Sequence, residues 1–287
     1  MTGFNVDVIA DSIAPCGKRL TTITATYPRF IHSEVMTHRD RARNAASSRA
    51  IPWPRMMAAI QESPVIPIRW GSEQRGMQTG GEIEQKEEAS AIWLEARDNM
   101  LYAAQQLADL GVHKSIVNRL TEPFMWITVV MTATEWANFF RLRCHEHAEI
   151  HFQRIAGMIR DALAASNPVS VPAGGIHAPF VQPDELDVLD SETIAKVSTA
   201  RCARVSYLTH DGERNVIKDL ELFGRLCEGS GFGHWSPHEH VAFAAQHLMR
   251  SGPFVGWQQY RKTFPNECAI EPEVLPATLP ESSKVGA

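Results

Sequence analysis

The stretch "MTHRDRARNAASSRAIP", residues 36–52, sets Arg39, Arg41, Arg43 and Arg49 beside His38 in a chain whose formal charge is -5. Forked guanidinium donors at this density suit phosphate or carboxylate oxygens, and Ser47 and Ser48 add hydroxyls and backbone N–H groups. A solvated basic helix face has the same composition, so the run alone leaves both readings open. The acidic balance of the whole chain argues against nucleic acid as the main partner, because phosphate-backbone binding needs a net basic face. The arginine cluster is therefore local, and a small anionic ligand is the expectation.

Working outward, "LTTITATYP" alternates and is rich in β-branched residues, which predicts a strand over residues 20–27 ended by Pro28. "RFIHSEVMTHRDRARN" follows as a short helix or turn, and "IPWPR" reads as a loop. "RWGSEQRGMQTGGEIEQ" is polar, glycine-rich and reads as a surface loop. Helical periodicity runs from Gln85 to Leu110 and stops at Gly111. A second long helix is expected from about Glu135 to Ala165, with Thr134 as N-cap and Trp136, Phe139, Phe140, Ile155 and Ile159 among its apolar positions.

"NPVSVPAGGIHAPFVQPDE", with four prolines and two glycines, is the linker candidate over 167–185. It divides a segment 1–166 from a segment 186–275, and the tail 276–287 is expected to fray. Beyond the linker come a short helix in "ETIAKVSTARCARVSY", a second in "NVIKDLELFGRLCEGSG" and a strand in "HVAFAAQHLM". A strand, a Pro-hydrophobic step and an arginine-bearing helix are suggested twice, in "ITATYPRFIHSEVMTHR" and in "AFAAQHLMRSGPFVGWQQYRK", as a divergent internal repeat.

Five widely spaced cysteines, with no C-x-x-C pair, fit a reducing compartment, and the expectation is a cytoplasmic protein. No stretch approaches eighteen apolar residues and the N-terminus lacks signal-peptide character, so no membrane span is expected. "HEHAEIH" invites a metal reading through His147 and His151, but H-E-x-x-H would need histidine where Glu149 stands. No metal is expected. "GSGFG" lacks the spacing and strand-helix context of a dinucleotide fingerprint.

The spacing H-R-x4-N-x2-S-x-R, from His38 and Arg39 through Asn44 and Ser47 to Arg49, resembles the signature of the flavin-dependent thymidylate synthases (the ThyX family), with Thr37 in place of the first arginine. Three further segments agree. "LADLGVHKSIVNRLTEP" places Arg119 on the family's substrate arginine. "WANFFRLRCHEHAEIHF" matches Asn138, Arg143 and His147 to residues lining the flavin and nucleotide pocket. "ARCARVSY" and "GHWSPHEHVAF" match Ser206, His234, Ser236, Glu239 and His240. In the family these last segments precede the arginine motif, so the chain reads as circularly permuted. "GPFVGWQQYR" would then put Gln258 and Arg261 where the N-terminal copy has Glu34 and Thr37.

The resemblance implies an α/β fold of the α+β type, with antiparallel sheet elements packed against a long-helix region in permuted order. It implies conversion of dUMP to dTMP with FAD, NADPH and methylenetetrahydrofolate, in a homo-oligomer with sites near its interfaces. Ser47, Arg49, Arg119, Gln258 and Arg261 would hold the nucleotide, and Arg143 would face the pyrimidine as the catalytic arginine. His38, Arg39, Asn44, Asn138, His147, Ser206, His234, Ser236 and Glu239 would hold FAD. Read without the family, Arg143 and His147 are four apart and would share a helical face. "GHWSPHEH" reads as a helix start with Ser236 as N-cap and Glu239 in the first turn. No cysteine nucleophile is required, and Cys144 reads as a helix core residue. Hydroxymethylation of dUMP, methylation of dCMP and an inactive nucleotide-binding paralogue stay open, because Thr37, Glu34 and His238 depart from the pattern.

Overall fold

The threonine-rich alternation does form a strand, and it is the centre of the sheet on which everything else is hung. The computed structural model describes residues 3–205, 214–228, 233–265 and 267. Its N-terminal part comprises β1 (Asn5–Ile13), β2 (Arg19–Pro28), α1 (His32–Val35), β3 (Ala42–Ala45), α2 (Trp53–Glu62), α3 (Lys86–Asp109), α4 (Lys114–Val117), β4 (Trp126–Ala133), α5 (Ala137–Arg143) and α6 (Ile150–Ala165). There follow β5 (Val169–Ser170), β6 (Ile176–His177), α7 (Pro183–Leu186), α8 (Ser191–Arg204), α9 (Val216–Glu228), β7 (Ala242–Ala244), β8 (Arg250–Ser251), β9 (Phe254–Val255) and β10 (Trp257–Gln259). The architecture is mixed α and β with antiparallel sheet elements.

The main sheet has the order β3-β4-β2-β1-β5, antiparallel except where β5 joins β1. One face of β2 presents Ile23, Ala25 and Tyr27, which pack with Val129 and Met131 against Phe152, Ile155 and Ile159 of α6. The opposite face presents threonines. Thr22 and Thr26 among them are buried too, and so must be paired: Thr22 bonds Thr132 at 2.7 Å, and Thr26 bonds Thr128 at 2.8 Å. A small sheet of order β10-β7-β6 meets this polar face. His177 bonds both Ser12 and Thr22 at 2.8 Å, and His240 bonds Thr132 at 2.8 Å, so one buried chain of polar groups ties the two sheets together.

The segment 167–185 is part of this joint, since it supplies β5 to the large sheet and β6 to the small one. Ala14, Leu20 and Ala42 share a core with Ala242, Phe254 and Trp257 from the far end of the chain. Gly256 marks how close the approach is: it has φ +75, and a Cβ there would stand 2.5 Å from the Cys16 sulfur.

Several local expectations are corrected. "IPWPR" is not all loop, because α2 begins at Trp53 and Pro54 occupies its first turn, where a missing N–H costs nothing. The second long helix is broken into α5 and α6. Residues 144–149 carry little apolar surface, and their side chains compete for the backbone: Glu149 accepts from the N–H of Phe152 at 2.8 Å, and His145 Nδ1 accepts from that of His147 at 3.2 Å. Neither Thr134 nor Ser236 serves as an N-cap; α5 starts after Trp136, and residues 236–240 form a 3-10 turn after Trp235. The repeat also diverges in three dimensions. In the C-terminal copy a β8–β9 hairpin and strand β10 stand between β7 and the 3-10 turn Tyr260–Thr263, whereas in the N-terminal copy β2 leads directly into helical turns.

Candidate functional site

The arginine-rich stretch is not a helix face. Its residues 42–45 form β3, the edge strand paired to β4, with Asn44 opposite Val130. From within the strand, Arg43 Nη1 reaches back to the carbonyls of Met36 and His38 and donates to them at 2.7 and 2.9 Å, closing the turn that presents His38. Arg143, the last residue of α5, donates from Nε to His38 Nε2 at 2.8 Å. The imidazole therefore accepts at Nε2 and is neutral. Burial first, then Arg41 and Arg143, hold His38 down at about 4. Phe139 and Phe152 stand edge-on to its ring at 5.0 and 5.8 Å, and the Arg143 guanidinium lies 4.5 Å from the Phe152 ring centroid.

Arg41 is the residue that sequence reasoning missed. It is only 4% exposed, its guanidinium lies 4.2 Å from the Phe139 ring and 4.6 Å from that of Trp136, and Nε and Nη1 have no hydrogen-bond partner. Burial, and then Arg43, lower its affinity for a proton to about 10. Nothing in "RDRAR" distinguishes Arg41 from its neighbours; only the aromatic positions 136 and 139, three apart where α5 begins, point to a cation shelf. Among the described residues Arg39, Arg41, Arg43, Arg49 and Arg143 form no ion pair. Arg39 and Arg49 are exposed.

At the other end of β3, the loop carrying Ser47 and Arg49 is pinned to the 3-10 segment Asn118–Phe124 that carries Arg119. Asn118 Nδ2 donates to the carbonyls of Ser48 and Ile51 at 2.6 and 3.0 Å, and Lys114 Nζ donates to that of Ala50 at 2.8 Å. Arg119 itself is exposed, with Nε on the Ser115 carbonyl. Asn44 is buried and donates to the Cys202 carbonyl in α8 at 2.8 Å, which fastens β3 to the C-terminal part of the chain. The 3-10 turn 236–240 packs on β3 as well.

Within that turn Glu239 meets Arg261, and Glu267 takes the same guanidinium at 2.7 Å. Arg261 is thus held by two carboxylates. Gln258, on β10, is exposed, as are His234 and Ser236. Asn138 is exposed on α5 and accepts from Arg141 at 3.2 Å. The expected shared face of Arg143 and His147 does not exist, because the helix ends at Arg143 and His147 lies exposed in the following turn. His151 points elsewhere, bonded to Glu149 at 2.5 Å and to the Ile68 N–H at 3.0 Å. Ser206 lies outside the described residues. Cys144 meets no histidine in the described part, and burial raises its thiol. The thiol that does meet one is Cys227, 3.4 Å from His238 Nε2. Burial keeps that imidazole at about 4, too weak a base to draw the thiol proton at neutral pH.

No helix among the described residues is long and apolar enough to cross a membrane. No protein-family model matches the chain, and no curated protein sequence matches it. Among solved structures it is similar to the UMP/dUMP methylase PolB from Streptomyces cacaoi bound with 5-Br dUMP, at 14% identity and a TM-score of 0.47, over 57% of this chain and 91% of that one. The same methylase bound with 5-Br UMP gives 15% identity and a TM-score of 0.47, over 57% of this chain and 90% of that one.

Proposed function

We propose that the chain is a flavin-dependent nucleotide-modifying enzyme that converts dUMP to dTMP with FAD, NADPH and methylenetetrahydrofolate, acting as a homo-oligomer. The observation that carries this reading is the Arg143–His38 hydrogen bond. It joins two segments 105 residues apart, each of which resembles a part of the flavin and nucleotide pocket. Around that contact lie guanidinium groups without carboxylate partners and flat aromatic walls.

The residues fit such a cofactor. A pyrophosphate requires forked donors not already neutralised, and the buried Arg41 keeps Nε and Nη1 without partners. FAD, when bound, supplies the hydride-transfer chemistry, and the protein supplies orientation and charge. In this reading His38, Arg39, Asn44, Asn138, His147, Ser206, His234, Ser236 and Glu239 hold the cofactor. Ser47, Arg49 and Arg119, gathered by Asn118, hold the phosphate and sugar of the nucleotide. Arg143 faces the pyrimidine and favours its polarised form, its guanidinium oriented by His38. Gln258 and Arg261 complete the nucleotide side, where a phosphate has to compete with Glu239 and Glu267 for Arg261.

That competition favours a second reading, a paralogue that binds nucleotide without turning it over. The deciding experiment is product analysis by mass spectrometry after incubation with FAD, NADPH, methylenetetrahydrofolate and dUMP. The expected product is dTMP, formed also by Cys144→Ala. A hydroxymethylated nucleotide, or methylation of dCMP alone, would redirect the substrate assignment. Nucleotide binding with no product would establish the second reading.

A further inference from the structure

The longest helix among the described residues carries little of the core. Of the 24 residues of α3 only Leu101 and Ala104 are buried. The same side holds Trp93, whose indole N–H donates to the Val65 carbonyl at 2.8 Å and whose ring stands edge-on to Phe30, Trp70 and Phe124. On the other side Ile92, Ala96, Asn99, Ala103, Gln106 and Leu110 fall within about 40° of one line at about 100° per residue. From Ile92 to Leu110 that line carries no charge. Its two ends are large and apolar, Ile92 61% and Leu110 79% exposed, and between them stand only alanines and amides. A single exposed apolar residue needs no explanation, but two that close one uncharged line, with exposed Tyr102 beside it, mark a surface shaped for contact.

The line is complementary to itself. A second copy laid antiparallel and centred on position 101 sets Ile92 against Leu110, Ala96 against Gln106 and Asn99 against Ala103, and each pair occurs twice, as a two-fold axis requires. The apolar pairs close both ends, and the small residues let the two backbones approach in the middle. Charge selects this direction over the parallel one. Glu84, Glu87 and Glu88 are exposed at the start of α3 and form no ion pair among the described residues. Parallel copies would bring the two acidic starts together. Antiparallel copies bring each start beside the other end of the second helix, where Lys114 stands and where Asp109 is engaged by the Gln105 amide at 2.7 Å.

We infer that α3 is a contact between two copies of this chain, packed antiparallel along the line from Ile92 to Leu110. The inference deepens the homo-oligomer of the proposed function by assigning it a face, and it uses nothing of the flavin assignment. A helix about 36 Å long and about 10–12 Å wide covers less than the roughly 800 Å² per partner of a standard interface. Association in the micromolar range follows.

Sedimentation of the full-length protein from about 1 to 100 μM, with and without FAD, tests it. The parent should self-associate across that range. Ala96→Arg, at an exposed position, should weaken one association step about tenfold or more with an unchanged melting temperature. Adding Gln106→Glu to the same chain should restore it. Positions 96 and 106 lie about 15 Å apart within one helix and meet only across the antiparallel pair. A parent that stays monomeric at the highest concentration, or a double variant no better than Ala96→Arg, would overturn the contact. Association that Ala96→Arg leaves intact would overturn it too, while the homo-oligomer itself would stand on another face. FAD uptake by the same samples reads the flavin assignment separately.

Discussion

Two buried arginines in this molecule live in opposite circumstances. Arg201, in the middle of α8, is saturated: Nε donates to Asp219 at 3.0 Å, Nη1 to Glu185 at 2.6 Å and the Phe180 carbonyl at 2.9 Å, and Nη2 to Glu185 at 2.7 Å. Arg204 adds a second cation to Asp219 at 2.6 Å. Arg41, equally hidden, sits on two aromatic rings with two N–H donors unanswered. A charge removed from water is tolerated when partners replace the lost hydration. Arg201 is therefore a clasp between α8, α7 and α9. Arg41 belongs to a region built with donor capacity in reserve, which is the property expected of a place that receives an anion.

The comparison breaks most visibly on stability. Arg201→Ala would strand Glu185 and Asp219 without their central cation, and it should cost about 3–5 kcal/mol in urea unfolding. Acid should act next. His177 and His240 are held at about 3, and His32, His38 and His238 at about 4, against an ordinary 6.5, in each case mainly by burial. Below pH 6.5 the unfolded chain takes up protons that these folded imidazoles refuse, so stability is full above that pH and declines as pH falls toward the folded values. Each group contributes at most about 1.4 kcal/mol per pH unit. Glu185 adds a later loss: its bonds to Arg201 hold it at about 2, so its contribution is present above about 4.5 and disappears as pH falls through the folded value. Asp219, fully buried, is pushed the other way by desolvation and adds nothing in that direction. Thermal melts from pH 8 to pH 3 should show a decline that begins near 6.5; a flat profile down to pH 5 would show that the histidines are not buried as described.

The smallest stability effect is the sharpest contrast. Arg41→Met removes a buried, unpaired charge and keeps an apolar stem on the rings, so the unfolding free energy should stay within about 1 kcal/mol of the parent. A loss as large as that of Arg201→Ala would mean that Arg41 is also a clasp.

How much of this was legible in the sequence follows from which forces act locally. The strand at 20–27 and the helix at 85–110 obey simple periodicities, and both were readable. "WITVVMTA" at β4 is buried on both faces, with Thr128 and Thr132 set irregularly for a period of two against its apolar residues in the sequence, and a run of that kind does not announce its period. The break between α5 and α6 depends on side chains capping backbone groups, which periodicity does not register. The arginine motif was legible as chemistry but not as geometry. Its strand conformation comes from the open edge of β4, and the contact between His38 and Arg143 comes from helix packing across 105 residues. The face expected to be shared by Arg143 and His147 failed for the same reason, since it rested on a helix that ends four residues before His147.

The central claim is that the unpaired arginines and His38 form a ligand site of the flavin and nucleotide type. FAD uptake, followed by visible absorbance, tests it most directly in the parent protein and in Arg39→Met and Arg201→Lys. The parent should take up FAD at tens of micromolar or below, a normal cofactor range. Arg39→Met, at an exposed position, should bind about tenfold or more weakly with an unchanged melting temperature, while any loss in Arg201→Lys should follow its stability alone. A parent protein that stays colourless with FAD in excess, or that binds it with equal affinity after Arg39→Met, would contradict the account.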